Sequence, residues 1–215
     1  MSRASENPYF QIGLDVTERS CLIIGGGPEA EDKSGRLLDA GARLVVVSPR
    51  VTPQLESLAE EGLLLWLRRR FQMDDLDGIH LVVNTVGDAS LAQQVYERAC
   101  ADRLLVNSYD QPDCSNFGMA ALVHPGPLRI SISTSNASPA LASRLRQDLE
   151  RLFDEEFVEY ISLLSRVRQH LRQQMTDPAA RMDLLRSLVA DFRLDGGLSY
   201  PENWREKLES LLDDQ

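Results

Sequence analysis

Cysteine is scarce in this chain: Cys21, Cys100 and Cys114 are the whole complement in 215 residues, and no two are spaced Cys-x-x-Cys. That excludes a disulfide framework and offers no structural zinc site by spacing, so reduced thiols are expected and no metal ligands are assigned. No run of about 18 apolar residues exists, the length a membrane helix needs. The N-terminus, MSRASENPYF, also lacks the basic-then-apolar layout of a secretory signal. A cytoplasmic protein with no membrane partner is expected. Internal repeats and low-complexity tracts are missing too. Positive charge is in short supply, with 23 Lys and Arg against 33 Asp and Glu and a formal net charge of −10. That balance argues against a nucleic-acid partner and requires any anionic ligand to meet a local basic group. Arg68, Arg69 and Arg70 are contiguous, but on a strand or loop they point in alternate directions and read as solvated surface. What remains is ordinary: 43% hydrophobic and 26% charged residues suit one large or two small globular domains.

Against that background the segment CLIIGGGPEA, residues 21–30, stands out. An apolar strand runs into Gly25, Gly26 and Gly27, and a helix start follows. In the spacing Gly25-x-Gly27-x-x-Ala30 the first glycine permits a tight turn and the second lets backbone approach a pyrophosphate. The small Ala30 lets helix pack on strand. The helix N-terminus then presents unpaired N–H groups to phosphate. Gly41 reads as the helix C-cap, and the next apolar run, 44–47, completes a strand-helix-strand unit. The acidic residue that usually accepts the ribose hydroxyls, about 20 residues past the glycines, is missing. Ser48, Pro49 and Arg50 stand there instead, so a choice between NAD and NADP is not legible, and Ser48 with Arg50 is compatible with a 2′-phosphate.

Five short apolar runs, 22–24, 44–47, 63–67, 81–83 and 104–106, alternate with helical patterns over 28–40, 52–61 and 88–102. This predicts an α/β fold with a Rossmann-like, doubly wound parallel sheet. The C-terminal ends of its strands carry Gly25 to Gly27, Ser48, Asn84 with Thr85, and Asn107 to Asp110, four segments that converge on one ligand crevice. Past residue 113 the alternation stops. PLRISIST, 127–134, reads as a strand, and a helix follows with Ser138 as cap, Pro139 in its first turn and a stripe of Leu141, Leu145, Leu149 and Leu152. From 154 onward amphipathic helices continue, with breaks near Asp177-Pro178 and Gly196-Gly197. Three regions are expected: a dinucleotide-binding domain over 1–113, a small α+β module over 114–153, and a helical region over 154–215.

Taken in order, YFQIGLDVTERSCLIIGGG, the helix with Lys33 and LLDAGA, VVNTVGD, VNSYDQPDCSNF and LRISISTSNASPALASRLRQDLE resemble the precorrin-2 dehydrogenase family, the dehydrogenase and ferrochelatase module of siroheme synthase, across roughly residues 8–155. The resemblance implies NAD-dependent oxidation of precorrin-2 to sirohydrochlorin, ferrous iron as a further substrate in some members, and a homodimer built through the second module. It puts catalysis on Asp110 of NSYDQP, where a carboxylate beside the nicotinamide crevice accepts a proton or orients substrate. An Asx-turn before Pro112 is the plainer alternative. The competing carboxylates Asp88 and Asp113 fit a helix cap and a turn. Thr134 falls near the tetrapyrrole site by resemblance, with Ser133, Ser135 and Asn136 as polar neighbours, although a loop that caps the next helix uses the same residue types. Arg146 matches a basic position suited to a substrate carboxylate, and Asn107 joins this substrate set. His124 is a lone histidine and reads as structural. Cofactor contacts are expected from Gly25, Gly26, Gly27, Pro28, Glu29 and Ala30. Ser48, Pro49, Asn84 and Thr85 complete them.

Departures from the family pattern bear on the phosphate turn, where Glu29 and Asp32 replace valine and arginine and oppose an anion by about 0.3–1 kcal/mol for an exposed group. The usual proline after Asn116-Phe117 is absent, and Ser143 stands where an arginine is customary, with Arg144 beside it. No methyltransferase extension follows, so the chain is not expected to make precorrin-2 itself. Two other readings stay open: a non-catalytic tetrapyrrole- or nucleotide-binding protein on the same fold, and an NADP-linked reductase of another small substrate.

Overall fold

Five strands, β1 (Ser20–Ile24), β2 (Arg43–Val47), β3 (Leu64–Leu67), β4 (Leu81–Asn84) and β5 (Leu105–Ser108), form the parallel sheet expected from the apolar runs. The computed structural model describes residues 10–135 and 137–213, and in it the strands lie in the order β3-β2-β1-β4-β5. The order reverses between β1 and β4, whose registers pair Ile24 with Asn84. That is the topological switch point of an open α/β sheet, where ligands bind beyond the strands' C-terminal ends.

Strand alternation explains how both faces are covered. Cys21, Ile23, Leu44, Val46, Leu81 and Val83 point to one face and pack with Ala30 and Leu37 of α1 (Pro28–Asp39) and Leu55 of α2 (Pro53–Glu60). Leu22, Ile24, Val47, Val82 and Val106 point to the other and pack with Val95 and Ala99 of α3 (Ala89–Ala101). The central strands are therefore apolar along their whole length, as a sheet covered on both faces demands. Each fully buried Leu, Ile or Val contributes about 1.5–3 kcal/mol of hydrophobic stabilisation. The caps are the ones the chain specifies. Thr52 accepts the Leu55 N–H at 3.3 Å, and Asp88 accepts those of Ser90 and Leu91 at 2.9 and 3.1 Å.

This unit extends to Met119, and a second compact unit begins at Ala120. The unit runs past the boundary expected after 113, because residues 116–119 are tied to β5 and to the core. Asn116 accepts the Val106 N–H at 2.8 Å and donates to Leu104 O at 2.8 Å, Phe117 O accepts from Asn107, and Phe117 and Met119 pack on the core. The two regions expected beyond it also form one unit. In that unit β6 (Ala121–Val123) pairs antiparallel with β7 (Ile130–Ile132), so the strand expected over 127–134 is shorter and gains a partner that no periodicity announced. The segment between them holds Pro125, Gly126 at φ +55° and Pro127, which keeps both strands to three residues.

The helix α4 (Pro139–Glu150) starts where the cap signals place it, with Ser138 accepting the Leu141 N–H. Its leucine stripe is only partly covered within the chain: Leu141 is 51% and Leu145 41% exposed, Leu149 and Leu152 are half-buried, and Ala142 is the helix's buried residue. The helices α5 (Glu155–Gln174), α6 (Pro178–Ser187) and α7 (Trp204–Asp213) follow, with the short hairpin β8 (Arg193–Leu194) and β9 (Leu198–Ser199) turning at Gly196-Gly197. Tyr160, Leu163, Val167 and Leu171 of α5 pack with Trp204 and Leu208 of α7. Tyr160 stacks on Phe192 with centroids 5.6 Å apart and meets Trp204 edge-on at 5.0 Å. No helix among the described residues is long and apolar enough to cross a membrane.

Candidate functional site

Steric necessity explains the first two glycines. Gly25 takes φ +115°, and a Cβ there would strike Thr85 Oγ1. One at Gly26 would strike the carbonyl of Arg50 and crowd Ser48 Oγ and Val51 at 2.9 Å. At Gly27 a Cβ would meet nothing within 4 Å, so its missing side chain leaves open room in front of the helix. Gly27 is also the N-cap of α1 and brings no side-chain acceptor. First-turn N–H groups are thereby left for an anion, the arrangement that holds a pyrophosphate.

A second layer holds this turn in place. Gly25 N donates to Val47 O at 3.0 Å, Thr52 N donates to Gly26 O at 2.9 Å, and Thr85 Oγ1 donates to Ile24 O at 2.9 Å. Ser48 is buried. Its hydroxyl donates to Arg50 O at 2.6 Å, and its carbonyl accepts the Trp66 Nε1–H at 2.9 Å. The result is a cavity of about 490 Å³, lined by the three glycines, residues 48–52, Thr85 and Val86, within the usual range of about 300–1,000 Å³ for small-molecule sites. Among the described residues that line it Arg50 is the one charged side chain. The glycine cradle, the uncapped helix start and this opening fit a dinucleotide.

The acids in the phosphate turn are not left unopposed. Lys33 Nζ lies 2.6 Å from Asp32 Oδ2 and 3.5 Å from Glu29 Oε2, so one lysine of α1 answers both carboxylates. Of the other expected cofactor residues, Ala30 is fully buried and serves helix–strand packing. Asn84 is also fully buried. Its Oδ1 accepts the Val86 N–H at 3.0 Å, which makes it a support of the turn after β4 and not an exposed contact. Its Nδ2 has no partner among the described residues, and neither has the buried Ser108 Oγ on the paired strand, with which it is in register.

Beyond β5 the chain turns sharply. Gln111 N bonds back to Ser108 O, and Tyr109 N donates to Asn84 O at 2.8 Å, which ties the turn to β4. Asp110 sits at its apex at φ +54°, exposed. No hydrogen bond or ion pair to its carboxylate is found among the described residues, so the Asx-turn alternative is not what this residue does. Left-handed backbone is uncommon for a residue with a Cβ, and Asp is among the few that adopt it readily. Ser115 Oγ accepts the Ser108 N–H and donates to Gln111 O at 3.1 Å, so the loop is fixed from below. Asn107 is engaged in the same support, its Nδ2 donating to Phe117 O at 3.0 Å. Burial, and then the charges of Asp113 and Glu97, push the Cys114 thiol up, away from the thiolate form that a nucleophile uses.

The remaining substrate candidates lie in the second unit and are occupied locally. Thr134 Oγ1 accepts the Ser138 N–H at 3.1 Å, and Ser133 Oγ accepts the Ser135 N–H at 3.2 Å, with Ser135 at φ +50°. Asn136 lies outside the described residues. Arg146 Nη1 donates to both Glu150 carboxylate oxygens at 2.6 Å. Thr134 and Ser133 thus accept from their own loop, and Arg146 pairs along its helix. Sequence reasoning passed over Val51, Thr52 and Val86, which line the cavity, and Tyr109, which is 47% exposed next to Asp110 in the chain. The Thr52-Pro53 pair was a readable signal, being a cap followed by a first-turn proline.

A family model for NAD(P)-binding domains matches residues 12–121. The chain belongs to this NAD(P)-binding family. Within it, the likeness is to the N-terminal module of siroheme synthases. The siroheme synthase of Shigella boydii serotype 18 is 33% identical over 191 residues, covering 89% of this chain and 42% of that protein. That of Nitrosococcus oceani is 32% identical over 173 residues, covering 80% and 37%. The chain thus spans less than half the length of these relatives. Among solved structures, SirC, a precorrin-2 dehydrogenase, superposes with a TM-score of 0.74 at 25% identity and covers 95% of this chain and 97% of that one. No group of three or more His, Cys, Asp or Glu side chains is placed to hold a metal among the described residues.

Proposed function

We propose that this protein oxidises precorrin-2 to sirohydrochlorin, with NAD⁺ as the hydride acceptor, and that Asp110 is its catalytic carboxylate. The observation that carries this reading is the placement of Asp110: exposed, without a side-chain partner among the described residues, and on a turn fixed by the Tyr109 N–H to the carbonyl of Asn84, the residue before the cavity-lining Thr85. Bound dinucleotide supplies a hydride acceptor at the switch point. Loss of hydride from the macrocycle must be matched by loss of a proton, and an exposed carboxylate on the turn that follows β5 is the group to take it. Tyr109 offers an apolar ring beside it for a flat substrate.

Ferrous iron insertion into sirohydrochlorin belongs to the same proposal as a second step. It releases two pyrrole protons, for which Asp110 is again the acceptor, and it makes iron a substrate and not a resident ion. A homodimer is supported by the exposed Leu141 and Leu145 of α4, which a second copy would cover. The test is anaerobic absorbance of precorrin-2 with NAD⁺ and either the parent protein or Asp110→Ala. The parent converts precorrin-2 to sirohydrochlorin and the variant is slower by about 10²-fold or more. Equal rates would remove Asp110 from catalysis, and no conversion by a folded parent would favour the non-catalytic binding protein. Sirohydrochlorin with ferrous iron, read against the protein-free rate, tests the second step.

A further inference from the structure

The end of the cavity where an adenine ribose would lie departs from the usual pattern for NAD. In this fold an acid at the end of the second strand accepts the ribose hydroxyls and repels a 2′-phosphate, whereas an arginine nearby accommodates that phosphate. Here the chain leaves β2 as Ser48, Pro49 and Arg50, and no carboxylate lines the cavity among the described residues. The Ser48 hydroxyl is turned back onto Arg50 O, so it is already engaged. Arg50 is exposed, and its guanidinium has no hydrogen bond or ion pair among the described residues. The neighbouring arginines are engaged differently: Arg68 pairs with Glu56 and lies over Trp66, and Arg69 pairs with Asp75.

The backbone at Arg50 is set firmly. Ser48 Oγ holds its carbonyl, that carbonyl fills the space where a Gly26 side chain would go, and Thr52 N bonds to Gly26 O. The residue therefore leaves from a point locked to the phosphate turn. In a chain of net charge −10, a guanidinium unpaired among the described residues and lining a cavity suited to a dinucleotide is the local basic group a further phosphate requires.

We propose that this site is not restricted to NAD⁺ and also takes dinucleotides with a 2′-phosphate, which Arg50 holds. The inference rests on the dinucleotide reading of the cavity. Fluorescence titration of the intact protein with NADH and NADPH tests it, with 5′-AMP and 2′,5′-ADP as competitors, on the parent, Arg50→Ala and Arg50→Lys. NADPH is expected to bind at least as tightly as NADH. Arg50→Ala weakens NADPH and 2′,5′-ADP by about tenfold and leaves NADH and 5′-AMP within about twofold, and Arg50→Lys restores part of the loss. Weaker binding of NADPH than NADH by the parent would overturn the proposal, as would an Arg50→Ala variant that loses both ligands equally or neither. If neither dinucleotide binds the folded parent, the dinucleotide reading itself falls, a result distinct from NADH binding alone.

Discussion

The two units bury their chains in opposite ways. In the first, the strands of a parallel sheet are covered on both faces, and the residues that shape the cavity are supported by neighbours from the same unit: Thr85 by Ile24, Ser48 by Trp66, Gly26 by Thr52. In the second, burial is concentrated between α5 and α7, where Tyr160, Trp204 and Leu208 pack together, while α4 keeps Leu141 and Leu145 in solvent. A site built for a cofactor is self-sufficient in one chain. A helix with two exposed leucines on one stripe leaves apolar surface uncovered, and this contrast separates the part of the molecule that shapes the cavity from the part that the proposed dimer would cover.

The largest expected effect distinguishes glycines that the fold needs from the one the ligand needs. Gly26→Ala drives a methyl into the carbonyl of Arg50, which cannot rotate away, so it costs about 1–3 kcal/mol of stability together with dinucleotide binding. Gly27→Ala has free room and leaves the Tm unchanged, yet it weakens NADH binding because the methyl takes space in front of the helix start. Thermal melts beside NADH titrations of both variants check this, and loss of stability in the second would blur the distinction.

A smaller effect is expected on the stripe of the second unit. Leu141→Asp with Leu145→Asp raises the dimer dissociation constant by about 10²-fold or more, taking about 1.5–3 kcal/mol for each leucine fully covered by the partner. The helical circular dichroism is unchanged, because neither residue is buried in its own chain. Sedimentation equilibrium reads the outcome, and a doubly substituted protein that stays dimeric would move the interface elsewhere.

The smallest effect is a pH dependence of the first unit. The Arg69 guanidinium donates to Asp75 in a fork, the Gln72 N–H adds a third bond at 2.8 Å, and together they hold the Asp75 carboxyl below its ordinary value of 3.8. A carboxyl lowered by folding adds stability that is complete above its unfolded pKa and is lost as pH falls through the folded one. Urea midpoints of the parent and Asp75→Asn should therefore differ at pH 7 and converge as pH falls below the ordinary value of 3.8 and on through the lowered folded one. A constant difference across that window would assign the effect to packing.

Much of this was legible from the chain because local and global signals agree in the first unit. Apolar runs with glycine and cap residues between them gave every strand of the sheet, and Thr52, Asp88 and Ser138 were readable as caps by their side chains alone. What was not legible depends on partners distant in sequence. Nothing around Asn116 announced that it would bond to Val106 and Leu104 and so carry the first unit on to Met119. The pairing of Ala121–Val123 with Ile130–Ile132 rests on three residues a side, too few for a periodic signal. The acids of the phosphate turn read as a defect until Lys33 was seen between them. Asn84 and Asn107 read as ligand contacts because they end strands at the crevice; that the Asn84 Oδ1 and the Asn107 Nδ2 also bond to the backbone of neighbouring segments was not legible.

The central claim is that precorrin-2 gives up its hydride to a dinucleotide held in the glycine cavity, and stoichiometry tests it most directly. Under strict anaerobiosis, with purified protein and limiting precorrin-2, sirohydrochlorin and reduced dinucleotide should appear together and one to one. Sirohydrochlorin formed without reduced dinucleotide, or a folded protein that binds NADH and leaves precorrin-2 unchanged, would contradict the account.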